Sequence, residues 1–162
     1  MATLTVLKFS APDGAEKMLE KVQGLQKAEL IKIQDAAMVS WPAGKKNPKT
    51  QQLVNLAGMG ALQGAFWGML FGLIFFVPFF GLAVGAAFGA LGAKMADYGI
   101  SDDFIKKTRD QVTEGTSALF LLTSDAVKDM VYEELQGEQF ELIASNLTKE
   151  QEEELKAAFA AE

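Results

Sequence analysis

The 162-residue chain contains no cysteine and no histidine. The first absence excludes a disulfide framework, a thiol nucleophile and a thiolate metal site. The second removes the commonest general base and the commonest zinc ligand. Arginine is nearly missing too: Arg109 is the only one, and with a net charge of -6 this disfavours nucleic-acid binding. The start, Met1-Ala2-Thr3-Leu4-Thr5-Val6, has no basic segment followed by an apolar one. No secretory signal is therefore expected, and the N-terminal part is expected in the cytoplasm. The most informative absence is local. No charged residue occurs between Lys49 and Lys94, a run of 44 residues holding seven of the twelve phenylalanines and nine of the fifteen glycines. A small domain normally interleaves core and solvated positions, so the chain contains two kinds of sequence.

The flanks of that run have opposite charge. Residues 1–49 carry eight lysines against five acids, and residues 94–162 carry six lysines and one arginine against sixteen acids. Both flanks read as mixed helix and strand. Thr3 to Phe9 alternates as a strand, and Ser10-Ala11-Pro12-Asp13 opens a helix running to about Gln26. Ala15, Met18, Leu19, Val22 and Leu25 fall on one face of it. Leu30, Ile31 and Ile33 lie in a loop or short strand; a second strand covers Ala36 to Trp41, and after the Pro42 to Pro48 turn Lys49 to Val54 is read as its return.

After the uncharged run, Ser101-Asp102-Asp103 is a helix cap with acids at the positive end of the dipole, and the helix runs to about Val112. Gly115 stops that helix, and Thr116 to Thr123 reads as a strand. Ser124-Asp125 caps a helix to Leu135, Gln139 to Ser145 is a further strand, and Thr148 with Gln151 forms a capping box for a last acidic helix. Neither flank is long enough to bury a sufficient core alone. Together they predict an α+β fold, a ferredoxin-like antiparallel sandwich assembled from residues 1–52 and 98–162 and split by the insert at 53–97.

The insert reads as a glycine-zipper transmembrane helical hairpin broken at Val77-Pro78. Its arms would be roughly 37 Å and 27 Å long at 1.5 Å per residue, against a bilayer core of about 30 Å. Lys45, Lys46 and Lys49 before it, and Lys94, Lys106 and Lys107 after it, predict cytoplasmic ends. That places the chain in the plasma (inner) membrane with both termini in the cytoplasm. Gly60, Gly64, Gly68 and Gly72, then Gly81, Gly85 and Gly89, recur every fourth residue. Such a stripe lets helix backbones approach closely, so these seven are the expected homo-oligomerisation residues. Asn55 and Gln63 are the strongly polar side chains of the hairpin and are expected to hydrogen-bond between helices. A water-soluble oligomer with the hairpin as its buried centre satisfies the same pattern.

Several segments carry a family resemblance: Val54-Asn55-Leu56, Gly64-Ala65-Phe66-Trp67-Gly68, the glycine run, Asp97 to Phe104, and Thr116 to Phe120. Through them the chain resembles a bacterial family of membrane proteins of unknown function, domain-of-unknown-function family 1269. The resemblance implies membrane association and supplies no activity, substrate or catalytic residue.

Candidate chemistry is confined to acids. Asp97, Asp102 and Asp103 lie together where the insert returns, and they suit either a divalent cation or helix capping, with capping the commoner use. Glu150, Glu152, Glu153 and Glu154 read as a solvated helix face, and Lys106, Lys107 and Arg109 as possible contacts to anionic head groups. No phosphate loop and no nucleophile–base pair is present. The chain is therefore expected to be no enzyme, to need no cofactor or metal, and to act through the bilayer and through copies of itself in a structural or stress role. A pore built from such hairpins and a ligand-binding regulatory module are the other two expectations.

Overall fold

The computed structural model describes residues 2–27, 33–52, 64–76, 93–124 and 140–159. Five strands form one sheet: β1 (Ala2–Phe9), β2 (Ile33–Ser40), β3 (Lys49–Gln52), β4 (Ser117–Ser124) and β5 (Glu141–Leu147). Their spatial order is β3-β2-β4-β1-β5, and every neighbouring pair is antiparallel. The helices are α1 (Gly14–Lys27), α2 (Gly64–Phe71), α3 (Asp102–Gln111) and α4 (Lys149–Phe159). A π-helical turn, Gly72–Phe76, continues α2. The chain is thus α+β, with β1 and β2 parallel to one another on either side of β4.

Alternation along the strands explains why both faces of the sheet are covered. Leu4 and Val6 of β1 and Ala118, Phe120 and Leu122 of β4 point to one face; Leu7, Phe9, Leu119 and Leu121 point to the other. The second face packs on Ala15, Met18 and Val22 of α1, the stripe expected of that helix. In β2 the register slips between Ile33 and Asp35, two residues passing one on β4. The bulge turns Asp35 to the first face opposite Leu122, and it leaves Ala37 and Val39 in the first core and Ala36 in the second.

The first face overturns the membrane reading. Phe66, Trp67, Leu70, Phe71, Ile74 and Phe75, from the centre of the uncharged run, are all buried there in one cluster with Leu4, Val6, Phe120 and Leu122. Among the described residues no helix is long and apolar enough to cross a membrane. The expected transmembrane hairpin, its glycine zipper and the plasma-membrane location with cytoplasmic termini are therefore corrected. The physical reason is that a helix buried against a sheet and a helix buried in lipid ask for the same uncharged composition. For Phe66 to Phe75 the apolar phase is the protein's own sheet.

The return from the insert ends in a Schellman motif. Residues 93–97 are helical, the Ile100 N–H donates to Met95 O at 2.9 Å, and the Gly99 N–H donates to Ala96 O at 3.0 Å. Gly99 has φ +95, and a β-carbon there would lie 2.7 Å from Gln151 Oε1 and 3.2 Å from Leu147 Cγ. Gln151 cannot simply move away, because its side chain accepts from the Thr148 N–H while its own N–H donates to Thr148 Oγ1. Gly99→Ala is accordingly expected to lower stability by about 1–3 kcal/mol, measurable by urea unfolding.

Candidate functional site

α3 begins where its sequence says it should. Ser101 accepts from the Phe104 N–H at 3.2 Å, and Asp102 and Asp103 occupy the first turn. Phe104, Ile105 and Thr108 face inward, and the Thr108 hydroxyl donates back to Phe104 O at 2.8 Å. These contacts lay α3 along the first face of the sheet, beside β5. Ser145 of β5 ties the junction by donating from Oγ to Gly99 O at 2.5 Å.

Between α3 and β5 lies a cleft of about 310 Å³. Ser101, Asp103, Phe104 and Lys107 form its helical wall, and the consecutive residues Leu142 to Ser145 form the other. A run of consecutive strand residues in one wall means that the cleft follows the strand itself. β5 is the last strand of the sheet, paired on one side with β1 from Ala2↔Leu147 to Lys8↔Glu141 without a register shift. Among the described residues no strand pairs with its other side. Asp103 and Lys107 are exposed, one helical turn apart, and make no ion pair with the described residues.

The two sheet edges differ sharply. β3 spans four residues, follows Pro48 and opens with Lys49, all features that discourage a further strand from pairing. β5 spans seven residues, ELIASNL, with a single charge at its end and neither proline nor glycine. It carries none of those guards.

The acids expected near the insert do not assemble a metal centre: no group of three or more acidic side chains suited to a cation occurs among the described residues. Asp102 and Asp103 sit in the first turn of α3, after the Ser101 cap, Asp97 is exposed, and Glu152 accepts from Gln34 Nε2 at 2.9 Å. Gly64, Gly68 and Gly72 fall within α2 and its π-turn; Gly68 is exposed, with nothing within 4 Å of a β-carbon built there. The structure does not bring that stripe against another described helix. Asn55, Gly60, Gln63, Gly81, Gly85 and Gly89, with the helix read from Asp125 to Leu135, lie outside the described residues.

Two polar residues do work that the sequence reading missed. Arg109, placed there with Lys106 and Lys107 at a head-group surface, turns inward: its Nε donates to Ile74 O at 2.9 Å and its Nη2 to Leu73 O at 2.5 Å. Asp35 is fully buried, accepts from the Ala36 N–H at 2.8 Å, and receives Gln52 Nε2 at 3.2 and 3.4 Å. A lone acid inside the apolar strand IQDAAMVS was the available signal for Asp35. For Arg109 there was none, since its partners are backbone carbonyls 35 and 36 residues away.

Residues 61–160 match a family described as "protein of unknown function (DUF1269)". The chain belongs to this family. The match covers most of the chain, including α2, α3, β4, β5 and α4, so every wall of the cleft is family sequence. No curated protein and no solved structure matches the chain. Membership of the DUF1269 family brings with it no substrate, cofactor or partner.

Proposed function

We propose that this DUF1269 member is a non-catalytic interaction module whose function is assembly with further copies of itself. The observation that carries the reading is the outer edge of β5, unpaired among the described residues and free of proline, glycine and lysine, set against the guarded edge of β3 on the same sheet. An exposed strand edge presents a row of N–H and C=O groups, and folded proteins blunt such edges unless pairing there is useful. The chemistry available points the same way: without cysteine or histidine, the site offers hydrogen-bonding backbone, one acid, one amine and the hydroxyls of Ser101 and Ser145, which are engaged with the Phe104 N–H and Gly99 O, a set that serves recognition better than bond-making.

Sedimentation velocity of the full chain over a wide concentration range tests this. A dimer or larger species that grows in with concentration is expected. A monomer at every concentration would reject the reading.

A further inference from the structure

We propose that the strand taken up at the β5 edge is β5 of a second copy, paired antiparallel about a two-fold axis normal to the sheet beside Ala144. Asp103 of each copy then faces Lys107 of the other. This rests on the self-association reading above and adds its geometry.

Three observations lead to it. First, β5 is regular: its unbroken register with β1 leaves an unbulged outer edge, the kind that continues a sheet. Two copies joined there would form one continuous ten-stranded sheet from two five-stranded ones. Second, Ala144 is the middle residue of β5 and is exposed, so a two-fold axis beside it meets a methyl group and no bulk. Residues sharing a face then come opposite one another, Ile143 with Ser145 and Leu142 with Asn146, as the pleat requires.

Third, the charges on the helical wall complement themselves. A two-fold rotation reverses the direction of α3, so an acid and an amine one turn apart meet an amine and an acid on the other copy. Asp103 and Lys107 are that pair, and neither is spent on an ion pair with the described residues. Asp102 and Lys106 repeat the same order one position earlier, both exposed. An unrelated strand would have to bring matching charges of its own, whereas a second copy brings them by symmetry.

The chain lacks cysteine, so Ala144→Cys carries the only thiol. Opposed β-carbons across a strand pair lie about 4.5–5.5 Å apart, near the reach of a disulfide. Diamide treatment of this variant is expected to give a covalent dimer, and Thr50→Cys on the β3 edge is expected to stay uncrosslinked. In sedimentation equilibrium, Lys107→Glu should weaken the dimer about tenfold, and adding Asp103→Lys to it should restore affinity to within about threefold. If the unmodified chain sediments as a multimer but Ala144→Cys does not crosslink, copies associate elsewhere and only this geometry falls. If the double variant stays as weak as Lys107→Glu, the two-fold register is wrong. A chain that is monomeric at every concentration removes both this inference and the reading beneath it.

Discussion

Replacing Phe120 by alanine is expected to cost about 3–5 kcal/mol of stability, a large part of what a domain of this size has. Phe120 lies at the middle of β4, fully buried, and is the residue on which the aromatic cluster of the uncharged run converges. Its ring meets Phe71 edge-on at 5.1 Å and 82°, and Trp67 at 6.4 Å and 80°. Trp67 and Phe71 stack on each other at 5.8 Å. The ring sits in a close-packed site on a central strand, flanked by β1 and β2, so the backbone cannot collapse to fill the void.

The same residue makes the correction of the membrane reading testable in solution. If Phe71 packs on the sheet, then Phe71→Ala and Phe120→Ala remove one shared contact. Their effects on urea unfolding should therefore fall short of additivity by about 0.5–1.5 kcal/mol, the usual worth of an aromatic pair. Strict additivity would mean that the uncharged run does not pack against β4. A spanning helix gives additivity; a core helix does not.

Arg109→Ala should lower stability by about 2–3 kcal/mol, and Arg109→Lys should recover less than half of that loss. Arg109 donates from Nε to Ile74 O and from Nη2 to Leu73 O, and both carbonyls belong to buried residues. The guanidinium holds these two N–H groups in a fixed fork. A lysine ammonium reaches the same place as a point charge and cannot span both acceptors with that geometry. Loss of the arginine leaves buried carbonyls without those partners, which is costlier than the loss of an exposed ion pair. Equal stability of Arg109→Ala and the parent in urea unfolding would sink this account.

Local signals were readable directly. Ser101 as a cap, the Thr148–Gln151 capping box, the β1 alternation and the apolar stripe of α1 all depend on residues within one or two turns of each other. Short-range chemistry decides such features, so a linear reading finds them. The β5 strand was visible too, but its position was not. That it lies outermost, with Asp103 and Lys107 beside it, follows from pairing with β1 across more than a hundred residues of chain.

By itself the sequence determined that a long uncharged segment must leave water, and that the flanks supply strands and helices of defined ends. It also excluded thiol and imidazole chemistry outright. Only the tertiary structure decided what residues 66–75 of the uncharged segment leave water for. Burial free energy depends on the area removed from water and hardly at all on which apolar phase receives it. Phe66, Trp67, Phe71 and Ile74 would therefore have satisfied lipid or sheet equally well as a string of letters. The sheet face built by Leu4, Val6, Phe120 and Leu122 exists only once distant strands have paired, and it is that face which claims them.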